Sequence, residues 1–214
     1  MNRNSDVWIF DVCGTLYDSN TTFDFLEYLF KKTNQSHLKR LRDIRNKKWL
    51  IYWVRAILFR YFNLDLFRKE AVRLLVGFDA EKVNSEAEVF LSSILLKKEI
   101  VETQQMLKDQ KERIILVSNS IEPVVKAIAN HLGKEFISTE LEIKNGKFTG
   151  NILNDTTGKK HREIDKKGIK SYIVVTDNRS DYQLVNNASD AYVVINSEAD
   201  KIFWNSLNPK FIFK

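Results

Sequence analysis

The stretch Val7-Trp8-Ile9-Phe10-Asp11-Val12-Cys13-Gly14-Thr15-Leu16 decides how the rest of the chain is read. Val7–Val12 is β-branched and aromatic apart from one acid, and it runs into Cys-Gly. That pattern predicts a buried strand ending in a tight loop. Ile114–Val117 repeats it and is followed by Ser118-Asn119-Ser120. Tyr172–Val175 repeats it again before Thr176-Asp177-Asn178, and Ala191–Ile195 makes a fourth strand. Near-continuous apolar runs belong to strands covered on both faces, as in parallel sheets. Helical stretches lie between them, at Glu122–Leu132 (stopped by Gly133) and Asp181–Ala188. Glu140–Thr149, with Asn145-Gly146 inside alternating residues, reads as a hairpin. The expected fold class is α/β, a Rossmann-like parallel sheet.

Between the first and second strands lies a helical block, about Thr22 to Leu96. It has no Pro, one Gly (Gly77), and apolar residues at three-to-four spacing such as Phe23, Leu26, Leu29 and Phe30. Thr21 or Thr22 is the expected cap of its first helix. The block is too long for a simple crossover, so it reads as an inserted helical subdomain.

The chain has 214 residues, 43% hydrophobic and 29% charged, which allows a sizeable core and argues against disorder. Seven Gly and two Pro exclude collagen-like and low-complexity chains, and one Cys excludes a disulfide framework. The N-terminal run has no signal-peptide character. Trp49–Phe62, interrupted by Arg55 and Arg60, falls short of the ~20 residues that span a bilayer. A cytoplasmic protein is expected. The formal net charge is +6, yet Lys31–Arg60 holds ten basic residues against the single acid Asp43. That segment carries +9 and the remainder −3. The excess is local, which points either to a local anionic partner or to a solvated helix face.

Three strands end in candidate functional groups, and in an open parallel sheet the C-terminal strand ends share one edge where ligands bind. Asp11, Ser118, Asp177 and Asp181 therefore converge. Carboxylates gathered in one crevice repel unless a cation joins them, and oxygen ligands of this kind suit Mg²⁺.

These residues resemble the motifs of the haloacid dehalogenase superfamily, in its phosphoserine-phosphatase-like branch with a helical cap. Strand–Asp-x-x-Gly-Thr-Leu at Asp11–Leu16 is similar to the family's first motif, Ser118 to its second, and Asp177–Asp181 to its fourth. Lys159-Lys160 stands where the motif lysine is expected. Lys160 is preferred because Ile164 then falls one turn later, with Lys159 as the alternative. Gly146-Lys147-Phe148-Thr149-Gly150 fits the branch's hairpin. The resemblance covers Val7–Tyr17 and roughly Arg113–Ile195. It implies a core of residues 1–18 and 98–214 with a cap at 19–97.

The resemblance also implies a chemistry. Asp11 attacks phosphorus and forms an aspartyl phosphate. Asp11, the Cys13 carbonyl and Asp177 hold Mg²⁺, with Asp181 orienting the shell. Ser118 and amides near Asn119 bind phosphoryl oxygens, and Lys160 neutralises Asp11 and phosphate. The expected substrate is a small phosphorylated compound, including amphiphilic or lipid phosphates. Two positions depart from the family pattern. Cys13 stands where a second Asp protonates the leaving oxygen and activates water. A thiol substitutes poorly in that role, and general acid–base catalysis is worth ~10²–10⁴-fold. A slow or selective phosphatase, a phosphotransferase and a ligand-binding relic are the open readings. Thr176 stands where Gly is commoner.

His37, His131 and His161 lack metal-ligand spacing, and Trp8, Trp49, Trp53 and Trp204 read as packing residues. Phe203, Trp204, Leu207, Phe211 and Phe213 are expected to cover a sheet edge. Lys47-Lys48-Trp49 through Trp53-Val54-Arg55 suits either a membrane interface at the inner surface or a buried cap helix with snorkelling ends. No nucleic-acid-binding motif accompanies the basic segment.

Overall fold

The computed structural model describes residues 7–46 and 65–213. Its centre is a sheet of seven strands among the described residues: β1 (Val7–Phe10), β2 (Ile114–Ile121), β3 (Glu135–Lys144), β4 (Lys147–Asn154), β5 (Tyr172–Thr176), β6 (Asp190–Ile195) and β7 (Lys210–Phe213). Their order is β4-β3-β2-β1-β5-β6-β7, parallel except for the β3–β4 hairpin. The chain leaves β1 toward β2, β3 and β4 on one side, then returns to β5 on the other. The topological switch point thus lies between β1 and β5, where such sheets open a crevice.

Strand alternation sorts the core into two layers. Trp8, Phe10, Ile114, Leu116 and Val175 face one cluster. Helices α1 (Thr21–Thr33), α2 (Gln35–Asn46), α3 (Leu66–Arg73), α4 (Ala80–Ser93), α5 (Val101–Asp109) and α6 (Glu122–Leu132) contribute to it. Ile9, Ile115, Val117, Val174 and Val193 face the other cluster, under Ile164 of α7 (Lys160–Lys166), Leu184 of α8 (Tyr182–Asn186) and Trp204 of α9 (Glu198–Trp204). The insert between β1 and β2 therefore shares its apolar core with one face of the sheet.

Several sequence expectations need correction. β1 ends at Phe10, because the backbone turns at Asp11–Val12 into the site loop. β2 runs four residues past Val117, to Ile121. The cap of α1 is Asn20, whose side chain accepts from the Phe23 N–H at 3.4 Å. The hydroxyls of Thr21 and Thr22 are committed across the chain instead, Thr22 accepting from Ile121 N–H at 3.2 Å. The C-terminal aromatics do more than cover an edge: Phe211 and Phe213 sit in β7, which is itself the edge strand. The basic residues Lys31, Lys32, Lys39, Arg40, Arg42 and Arg45 are exposed, as a solvated helix face requires. The reading of Lys47, Lys48, Trp49 and Trp53 lies outside the described residues. No helix among the described residues is long and apolar enough to cross a membrane.

Candidate active site

Parallel register puts Phe10 beside Leu116 on one flank and Val175 on the other. Just beyond that row the strands deliver Asp11, Ser118 and Asp177 to one sheet edge. The Asp11 N–H donates to the Val175 carbonyl at 2.9 Å, which fixes the nucleophile candidate against β5. Its carboxylate accepts the Val12 N–H at 2.7 Å.

Lys160 is 2% exposed, and its ammonium lies 2.9 Å from Asp11 Oδ1 and 2.8 Å from Asp181 Oδ2. Lys159 is exposed, so of the two candidates only Lys160 reaches the carboxylates. Helix α7 does this by burying Ile164 one turn after Lys160. Burial alone would lower the Lys160 pKa, but Asp11 and Asp181 outweigh it and hold the ammonium above the usual lysine range. Burial, partly offset by Lys160, pushes Asp11 up to about 7. Burial also raises Asp177, against the pull of a Thr15 hydrogen bond. The cluster holds three carboxylates and one ammonium, so it stays anionic when all are ionised.

Hydroxyls that the strand-end pattern does not reveal lock this geometry. Thr15 Oγ1 donates to Asp177 Oδ1 at 2.8 Å and accepts the Asp177 N–H at 2.9 Å. Thr176 Oγ1 donates to Asp181 Oδ2 at 2.8 Å and accepts the Asn178 N–H at 3.1 Å. Thr176 thus has work of its own where Gly is commoner. The close backbone approach falls instead on Gly14, at φ +71°, where an added Cβ would sit 2.2 Å from Asp177 Oδ2.

The opposite wall is neutral. Cys13 Sγ lies 2.9 Å from Thr21 Oγ1 and 3.0 Å from Ser120 Oγ, and the two hydroxyls also bond each other. Burial and the neighbouring Asp11 push the thiol pKa up. Ser118 is fully buried and its hydroxyl accepts the Ser120 N–H at 3.1 Å. Cys13, Gly14, Asn119, Ser120 and Asp177 line a cavity of about 550 Å³. Its other side comes from the insert, through Asn20, Phe23, Asp24, Arg45, Asp65 and Arg68. Arg68, from α3, is a further site residue that no strand-end signal marks. Among the described residues no three His, Cys, Asp or Glu side chains form a metal cage.

The sequence pattern of haloacid dehalogenase-like hydrolases matches residues 8–185, which holds every one of these core residues. The chain belongs to the haloacid dehalogenase-like hydrolase family. No curated protein matches it in sequence. Solved structures share this hydrolase fold. A protein of unknown function from Bordetella pertussis Tohama I superposes with a TM-score of 0.73 at 16% identity, covering 97% of each chain. A phosphoserine phosphohydrolase-like protein from Francisella tularensis gives 0.64 at 17% identity, over 97% of this chain and 94% of that one. A phosphoserine phosphatase in apo form gives 0.59 at 19% identity, over 92% and 90%. At these identities the likeness is one of fold, and the fold is phosphoserine-phosphatase-like.

Proposed function

We propose that the chain is a Mg²⁺-dependent phosphatase or phosphotransferase of small phosphorylated compounds, working through Asp11. One observation carries the reading: Lys160 is buried between Asp11 and Asp181 at the switch point, beside the mouth-facing carboxylate of Asp177. In this reading segment 19–97 is the cap that selects the substrate and residues 1–18 and 98–214 are the core that does the chemistry.

The donor set fits the metal. A buried group of three carboxylates with one ammonium has negative charge left over, and Mg²⁺ takes few protein carboxylates because it keeps several waters. Asp11, the Cys13 carbonyl and Asp177 would hold it, with Asp181, locked by Lys160 and Thr176, orienting that group. Bound there, Mg²⁺ would supply charge stabilisation for the transferring phosphoryl group. The chain's own residues do the rest. Lys160 and the Val12 N–H hold the Asp11 carboxylate in place for attack on phosphorus. A bond from an Asp11 carboxylate oxygen to phosphorus forms as the bond to the leaving oxygen breaks, and water or an acceptor hydroxyl then takes the phosphoryl group, breaking that bond and restoring the carboxylate. The backbone N–H at Asn119, near the end of β2 and in the cavity wall, takes a phosphoryl oxygen. Cys13 hydrogen-bonds at the leaving-group side but gives up its proton poorly, so turnover favours leaving groups that need little protonation.

The test is phosphate release from a panel of small phosphomonoesters with and without Mg²⁺. Wild type should act on at least one, and Asp11→Asn on none. A catalytically impaired chain that only binds phosphorylated ligands would bind panel members without releasing phosphate.

A further inference from the structure

We infer that Arg68, on the helical insert, is a positioning residue that holds the irregular end of β2, Ser118–Ser120, through the Asn119 carbonyl. The inference rests on the phosphatase reading for its kinetic meaning, and on geometry alone for the contact.

Arg68 is 3% exposed, although it stands in a short helix with basic neighbours. Nη1 donates to the Asn119 carbonyl and, at 3.3 Å, to Thr139 Oγ1. Nη2 donates to the Asp155 carboxylate and to Thr157 Oγ1. Asp155 is partly buried; burial works to raise its pKa, but Arg68 and the Thr157 bonds outweigh that and hold it below the usual range. Thr139 Oγ1 donates to the same Asn119 carbonyl at 3.0 Å, and Thr156 Oγ1 donates to the Ser118 carbonyl at 2.9 Å. Two successive carbonyls near the end of β2 are therefore gripped by side chains.

In a trans peptide the carbonyl and the following N–H point opposite ways. Fixing these carbonyls fixes the amides of Asn119 and Ser120, both residues of the cavity wall, the Ser120 N–H being itself held by Ser118 Oγ. The planar guanidinium fork spans the four acceptors at once, which a lysine ammonium on its flexible stem does not. Its two outer nitrogens are committed to protein groups, and of its three nitrogens Nε alone has no partner among the described residues. That commitment separates a positioning role from direct contact with substrate.

The experiment compares wild type with Arg68→Lys and with Thr139→Val. Amide hydrogen exchange is followed at residues 118–121, and kinetics are run with an aryl phosphate carrying no other charged group. We expect exchange at 118–121 to quicken by about tenfold or more in Arg68→Lys, with β6 unchanged. We expect kcat to fall about tenfold to hundredfold at constant KM, as displaced catalytic geometry does. Thr139→Val should shift both readouts the same way by less, and it decides the matter should Arg68→Lys not fold. Unchanged exchange at 118–121, or a raised KM at constant kcat, overturns the proposal and assigns Arg68 Nε to the substrate. If wild type turns over no phosphate ester, the phosphatase reading fails, and the exchange result still decides the clamp.

Discussion

The two walls of the crevice are built differently. Behind one wall, where Asp177 lines the cavity, lie the buried charges of Asp11, Asp181 and Lys160, and threonine hydroxyls brace them. The other, Cys13, Thr21 and Ser120, is neutral and braced only by itself. The first suits attack on phosphorus. The second can hydrogen-bond a leaving oxygen, but its thiol is pushed up and its hydroxyls are weaker acids still. In the proposed mechanism attack and departure are carried by separate residues, so each can be altered while the other stands.

The largest expected effect sharpens this contrast from the neutral side. Cys13→Asp should raise turnover of an alkyl phosphate, by up to the ~10²–10⁴-fold that general acid–base catalysis provides. An aryl phosphate should gain less, since its leaving group departs without help. Equal rates for wild type and variant on both substrates would show that the neutral wall is not where departure is limited. On the charged wall, Lys160→Met leaves Asp11 and Asp181 buried without their cation. Removing one partner of a buried pair costs roughly 3–5 kcal/mol, so denaturant unfolding should show a loss of that order. A loss no larger than for an exposed pair would break the comparison. Gly14→Ala places a Cβ against Asp177 at positive φ. Strain of about 1–2 kcal/mol is expected, together with weaker Mg²⁺ binding measured by calorimetry. The smallest effect belongs to the surface: Arg42→Ala removes an exposed pair with Glu27 at 3.0 Å and should cost roughly 0.2–1 kcal/mol.

The charged wall was the legible one. Asp11, Ser118 and Asp177 each follow an apolar run, and parallel strands bring such ends together whatever their separation in sequence. The family resemblance marked Lys159-Lys160, and the turn spacing to Ile164 chose Lys160. The bracing residues carried no such mark. Thr21 looked like a helix cap, yet its hydroxyl meets Ser120, a partner ninety-nine residues away. Arg68 sits in a basic helical run, and its partner Asp155 is eighty-seven residues on. Hydroxyls and a guanidinium that act by joining distant segments leave no local periodicity. The hairpin glycine had a partner of the same kind. Gly150, at φ +81°, leaves room for the insert at Val76, where a Cβ would come within 2.5 Å of Cγ2.

The central claim is that Asp11 carries the phosphoryl group while the neutral wall releases it slowly. It is tested most directly by acid-quenching the protein during turnover with Mg²⁺ and a phosphorylated substrate, then mapping covalent phosphate by mass spectrometry. With an aryl phosphate, whose leaving group departs without help, the account predicts one phosphoryl group on the peptide containing Asp11, more of it in wild type than in Cys13→Asp because Cys13 activates the hydrolytic water poorly, and none in Asp11→Asn. Phosphate release from Asp11→Asn at the wild-type rate, with no labelled Asp11 peptide in wild type, would contradict it.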